Sequence, residues 1–283
     1  MTYAKIILAW IALMALCFCS LSQGDTASYW LNNGNESREM AINETQNLSI
    51  RAIYLEKARE AYDRAIEADP QSASAWFMKG KLQVDFLGNY EAALNAFNRS
   101  IEINPQFADA WYQKGKTLTG FGDFEEALKS YNQSIAINPN SSESWYWKAG
   151  VLAELGRYDE AVRAYDCAIK VDPSQADCWL SRGGALNKIN REAEANDSFA
   201  RAAELYDEAI EANPVDIMAL QGKGTALYHM GMINDSIQYF DRVIEYKPTF
   251  YRSYYYKGKA LMDLGRRSEA EEMFARSKEL GGI

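Results

Sequence analysis

The sequence predicts an all-α repeat solenoid, and two observations carry that prediction. The six prolines, at 70, 105, 139, 173, 214 and 248, are spaced by 35, 34, 34, 41 and 34 residues. Ahead of each of the last five stands an aromatic or Leu with Gly or Ala four residues later: Trp76/Gly80, Trp111/Gly115, Trp145/Ala149, Trp179/Gly183 and Leu220/Gly224. Tyr254/Gly258 opens a last unit without a closing proline. Apolar residues three and four apart make one stripe of a helix, Gly or Ala lets two helices approach, and proline fixes a helix start. Each period is therefore a helix hairpin that buries its stripe only by stacking on its neighbours.

Residues 1–22 stand outside the periodicity. Lys5 is their only charge, and Ile6 to Cys19 reads "IILAWIALMALCFC". That run is shorter than the roughly 20 residues a spanning helix needs, and Ser20 and Ser22 offer small residues for cleavage. It is read as an export signal, with an uncleaved anchor as the alternative. The expected location is extracytoplasmic or at the cell surface. Membrane contact is expected only through this segment if it is retained. Its removal would leave Cys167 and Cys178 as the two thiols, either bonded to each other or buried separately between helices.

Residues 23–72 are read as a divergent first unit. Trp30/Gly34 and Ala58, Tyr62, Ala65 and Pro70 keep the pattern, with 12 inserted residues between them. A stalk followed by a lone helix is the alternative. The segment is rich in Asn-x-Ser/Thr sequons, and Asn35, Asn43 and Asn47 are the expected glycosylation sites. Asn98 and Asn132, in "FNRSI" and "YNQSI", look like copies of one ancestral phrase.

From residue 73 to 283 the array is regular, with a Leu seven past most anchors, then a Gly turn and a second helix carrying Ala, an aromatic four on and a small residue three beyond. Ala127/Tyr131/Ser134 and Ala161/Tyr165/Ala168 show it. The 41-residue interval holds seven extra residues. Ala195/Phe199/Ala202 is in register with Trp179, and Ala202/Tyr206/Ala209 with Pro214, so the insertion is a duplicated heptad, about two helical turns.

This Trp, Leu, Gly, Tyr, Ala, Phe and Pro pattern at a 34-residue period resembles the tetratricopeptide repeat family across residues 73–280. The resemblance implies a right-handed superhelical solenoid of helix-turn-helix repeats whose first helices line a concave groove. Residues one, five and eight past each anchor then share the groove face, giving Phe77, Lys81, Tyr112, Lys116, Tyr146, Leu180, Tyr228, Tyr255 and Lys259, with Trp147 beside them. Aromatic rings with lysines suit an extended peptide or, alternatively, a glycan. Some family members clamp a C-terminal carboxylate with Lys and Asn one and five past an anchor. Phe77/Lys81 and Tyr112/Lys116 occupy those places here, so the clamp is not reproduced. The implied function is a non-catalytic scaffold for a protein or peptide partner.

A second basic row, three past the anchors, comprises Lys79, Lys114, Lys148, Arg182, Lys223 and Lys257. It is expected to lay its stems along the helices with the charges in water. The helix at Ser268–Leu280 has no solvating helix after it, which gives an expectation of self-association through the C-terminal repeat.

Catalysis and nucleic-acid binding are not expected. The formal charge is −9, a single histidine, His229, is present, and no metal-ligand spacing or nucleophile motif occurs. "AWYQKGKT", residues 110–117, fits a loose phosphate-loop pattern, yet no strand precedes it and its sister units read "AWFMKGKL" and "SWYWKAGV". It is read as the middle of a first helix, and no nucleotide, cofactor or metal is expected.

Overall fold

In a computed structural model the described residues are 26–282, so the expected signal or anchor, residues 1–22, lies outside them. The described residues form fourteen α-helices and no strand. They divide into two compact units, the first ending at Pro139 and the second starting at Asn140.

The first unit contains three hairpins: α1 (26–43) with α2 (Leu48–Ala68), α3 (Ala73–Asp85) with α4 (Tyr90–Ile103), and α5 (Ala108–Phe121) with α6 (Phe124–Ile137). The second contains four: α7 (Ser142–Glu154) with α8 (Tyr158–Val171), α9 (Ala176–Lys188) with α10 (Glu192–Ala212), α11 (Ile217–His229) with α12 (Ile233–Tyr246), and α13 (Tyr251–Asp263) with α14 (Arg267–Glu279).

Six of the seven first helices place a Gly four past the anchor, where an aromatic ring of the second helix lies on it; α7 has Ala149 there. A Cβ at Gly80 would come within 2.6 Å of the Phe97 ring, and one at Gly115 within 2.8 Å of Tyr131. Gly183 on Phe199, Gly224 on Phe240 and Gly258 on Phe274 repeat the contact, as does Gly34 on Tyr62 between α1 and α2. Tyr62, Phe97, Tyr131, Phe199 and Phe240 are fully buried by it. A ring of this size buries a large apolar area, and a side chain in place of the Gly hydrogen would force the helices apart.

The anchor aromatics also carry a polar task. The indole Nε1 of Trp76, Trp111 and Trp179 donates to the carbonyl of Pro70, Pro105 and Pro173, at 3.2, 3.0 and 2.9 Å. Tyr254 does the same through its hydroxyl to Pro248, at 3.1 Å. Leu220 has no donor, and there the Pro214 carbonyl accepts from Arg242 of α12 at 2.9 Å. At Pro70, Pro105, Pro173 and Pro248 the proline and the anchor are thus one device, which closes the inter-hairpin turn with a bond worth about 1 kcal/mol.

Two second helices are long. α2 and α10 each have 21 residues, where α4, α6, α8 and α12 have 14. In α10 the additional two turns bring Tyr206 against Gly222 of α11, while Phe199 remains on Gly183. With this longer partner, every residue of α11 from Ala219 to Leu227 is buried. In the first hairpin the additional length is shared, since α1 runs to residue 43 and α2 starts at Leu48.

The basic row behaves otherwise than expected. Lys79, Arg182, Lys223 and Lys257 pair with Asp63, Asp166, Asp207 and Asp241 of the preceding second helix, at 2.7, 2.6, 2.5 and 2.6 Å. Their charges stitch neighbouring hairpins together instead of standing in water. The thiols of Cys167 and Cys178 are free. Cys178 is buried and donates weakly to the Tyr165 carbonyl at 3.7 Å. At the end of the array, Ala270 and Ser277 of α14 are buried, while Glu271, Glu272, Arg276, Lys278 and Glu279 are exposed. The outward positions of α14 are therefore mostly charged.

Candidate ligand-binding faces of the two units

In the first unit the expected lysines lie over the expected rings. Lys81 stands 5.9 Å from the Phe77 ring centre and Lys116 stands 5.7 Å from that of Tyr112. Tyr112 in turn leans on Tyr131, with centroids 6.3 Å apart. Phe77 is a correction: it is buried between Phe97, at 6.0 Å, and Phe107, at 4.8 Å, as part of the core, so it supports Lys81 but offers no surface to a ligand. The physical reason is that Phe107, just before α5, covers the ring from the next hairpin.

Burial holds the Lys81 ammonium below the ordinary lysine range. Arg38 and Lys116 push the same way, against Asp85 and Asp109. Arg38 belongs to this face and was missed from the sequence. It lies eight past Trp30, pairs with Asp85 at 2.9 Å and stacks its guanidinium over Phe86 at 5.9 Å. Applying the position-eight rule to the divergent first unit would have found it.

The second unit gathers its aromatics at α11 and α13. The Lys259 ammonium sits over three rings, Tyr228 at 5.1 Å, Tyr256 at 5.6 Å and Tyr255 at 5.8 Å. Tyr228 donates to Asp263 at 2.8 Å, and its hydroxyl is pushed up to about 12 by burial and then by that carboxylate. Tyr255 is exposed. Among the described residues neither Lys81 nor Lys259 has a carboxylate at ion-pair distance, so a ring quadrupole takes the place of a counter-ion. Tyr146 is half-buried against Tyr165 and Trp147, each at 5.9 Å, and burial raises its hydroxyl. Leu180 and Trp147 are half-buried on α9 and α7.

Between these aromatics the same face is hollow. A cavity of about 590 Å3 is bounded by Ala153 and Glu154 of α7, Tyr158 of α8, Ser181, Gly184, Ala185, Asn187 and Lys188 of α9, and His229 of α11. A second hollow of about 430 Å3 is floored by Leu205 and Tyr206, in the half of α10 that the extra turns supply. Neither was read from the sequence.

Residues 110–117 lie wholly inside α5, so their amides belong to the helix. Gly115 faces Tyr131, and Thr117 is buried with its hydroxyl donating to the Gln113 carbonyl at 2.8 Å. Among the described residues no three His, Cys, Asp or Glu side chains gather as metal ligands would, and no helix is long and apolar enough to cross a membrane.

The fold defines a helical-hairpin repeat protein. The comparisons agree. Tetratricopeptide repeat models match residues 61–95, 112–176, 148–214, 191–245 and 222–281, and a TPR repeat model matches 87–119. The chain belongs to the tetratricopeptide repeat family. Among solved structures it is similar to a tetratricopeptide repeat protein from Parabacteroides merdae ATCC 43184, at 17% identity and a TM-score of 0.61 over 88% of this chain and 94% of that one. It is also similar to the MamA protein, at 21% identity and a TM-score of 0.56 over 67% of this chain and 97% of that one. These likenesses are of fold. Comparison with curated proteins finds no match.

Proposed function

We propose that the chain is a non-catalytic scaffold that binds an extended peptide or protein segment on its first-helix faces. The observation that carries this reading is the placement of Lys81 and Lys259. Lys81 is held over the Phe77 ring and Lys259 over three tyrosine rings, among the described residues without a carboxylate at ion-pair distance, an arrangement suited to an acidic group presented beside apolar surface. Exposed Tyr255 and half-buried Tyr112 and Tyr146 supply that surface.

The location proposed with it is extracytoplasmic. The uncharged run from Ile6 to Cys19 supports this, and so do the sequons at Asn43 and Asn47, which flank the α1–α2 turn and are exposed. Asn47 caps α2 through its carbonyl oxygen, accepting from Ser49 and Ile50 at 3.1 Å, and keeps its amide nitrogen for a glycan. Asn35 is less suited, because it sits inside α1 and accepts from the Tyr62 hydroxyl at 3.0 Å.

Parallel peptide and glycan arrays probed with the full chain test the reading. Peptide binding that falls at least tenfold in Lys259→Ala and Tyr255→Ala supports it. Glycan binding without peptide binding would replace it with a sugar-binding module.

A further inference from the structure

Adjacent glycines on α9 have opposite surroundings. A Cβ at Gly183 would come within 2.5 Å of the Phe199 ring, so packing demands that glycine. A Cβ at Gly184 would meet nothing within 4 Å. A glycine inside a helix costs about 1 kcal/mol relative to alanine, and at Gly184 no packing contact offsets that cost. What its missing side chain does create is space, because Gly184 floors the 590 Å3 cavity. Its place is five past the anchor, which is lysine in three sister units, as Lys81, Lys116 and Lys259. A lysine stem there would fill the hollow.

The wall opposite is aromatic. His229 lies nearly parallel on Phe199, with centroids 5.0 Å apart and planes 13° apart, and Tyr228 meets it edge-on at 5.4 Å. The ring is therefore fixed, and it borders the cavity together with Tyr158. Burial and the nearby Lys259 hold the imidazole below its ordinary range, so it is neutral at pH 7. Of the remaining lining groups, Glu154 and Lys188 cancel, and Ser181 and Asn187 bring hydrogen-bonding edges without charge. A volume in the range of small-ligand sites, with no net charge, a fixed ring on one side and polar atoms at the rim, matches a flat neutral side chain with a polar edge.

We propose that this cavity receives an aromatic side chain, Trp or Tyr, of the bound peptide, standing over Gly184 beside the His229 ring. The inference rests on the peptide-binding reading of this face, and the test separates the two. Twelve-residue peptides are selected from a random phage-displayed library on the immobilised full chain, then synthesised and measured by fluorescence anisotropy against the wild type and Gly184→Phe. The filled variant is expected to melt as the wild type does, because its side chain enters open space; Gly184→Leu serves if it does not. The expected result is a shared Trp or Tyr in the selected peptides and at least tenfold weaker binding to the filled variant. Alanine at the shared peptide position should cause a similar loss. Selected peptides that share no Trp or Tyr, or that bind both proteins equally, would overturn the cavity assignment and leave the groove reading standing. Recovery of no peptide would overturn both.

Discussion

The Tyr206 ring lies against Gly222 of the following hairpin, while Phe199, seven residues earlier on the same helix, lies against Gly183 of its own. One helix therefore repeats the ring-on-glycine contact twice, once on each side, and this is what the duplicated heptad in α10 accomplishes. Elsewhere the close ring-on-glycine contact, where present, is made within one hairpin.

The glycines can be separated by substitution. Gly183→Ala and Gly222→Ala should each destabilise by about 1–3 kcal/mol, because a methyl group there overlaps an aromatic ring that has no room to move. Gly184→Ala should stabilise by about 1 kcal/mol through helix propensity alone. Denaturant midpoints for the three variants check the set, and a loss at Gly184→Ala would show that its surroundings are not open.

The Lys–Asp row should divide by burial. Asp241→Asn should cost at most about 1 kcal/mol, because the Lys257 and Asp241 side chains are 22% and 51% exposed and the pair is screened. Asp207→Asn should cost about 2 kcal/mol, because it leaves the buried Lys223 ammonium only the Ala203 carbonyl, at 3.2 Å. Asn98→Asp, which places there the residue type that follows the aromatic as Asp63, Asp166, Asp207 and Asp241, should stabilise by about 0.5 kcal/mol by giving Lys114 an acidic partner. Urea denaturation reads all three, and equal costs at Asp207 and Asp241 would contradict the division.

The thiols should react unequally. Burial pushes the Cys178 thiol up to about 12, so the native protein at pH 8 carries almost no thiolate there. Iodoacetamide should label half-buried Cys167 and spare Cys178 until the chain is unfolded. Peptide mapping by mass spectrometry decides it; equal labelling in the native state, or a disulfide between the two, would contradict the free buried thiol.

His229 gives a pH signature. Its native value is depressed by burial and by Lys259, so above the unfolded value of about 6.5 both states are neutral and the group contributes nothing to the pH dependence. As pH falls below that, the unfolded chain takes up a proton that the native chain refuses, and stability is lost. Proton NMR of the chain's single imidazole should show a midpoint below the ordinary range. A midpoint at or above 6.5 would contradict its burial on Phe199.

Most of the fold was legible because packing imposes it on sequence. Trp76 and Gly80 must stand four apart for a ring to enter and helices to touch, and Pro70 must stand where the next helix starts. The candidate site was legible in part. Lys81, Lys116, Tyr112, Tyr255 and Lys259 follow from their positions on a first helix. Burial of Phe77 did not, since Phe107, which covers it, belongs to a turn whose path periodicity leaves open. The Asp row was present in "YDRAI", "YDCAI", "YDEAI" and "FDRVI". It passed unread because its partners lie 16 residues away on the next helix. The cavity over Gly184 could not be read, because in sequence one glycine of a Gly-Gly pair looks like the other.

The most direct measurement of the central claim, that the first-helix faces hold the ligand, is site-specific photocrosslinking to a library-selected peptide. A benzophenone side chain replaces Tyr112 or Tyr255 on first helices, or Lys129 or Asp235 on second helices, where both side chains are exposed. Crosslinking at Tyr112 or Tyr255, and none at Lys129 or Asp235, is the predicted result. Crosslinking confined to the second-helix positions would contradict it.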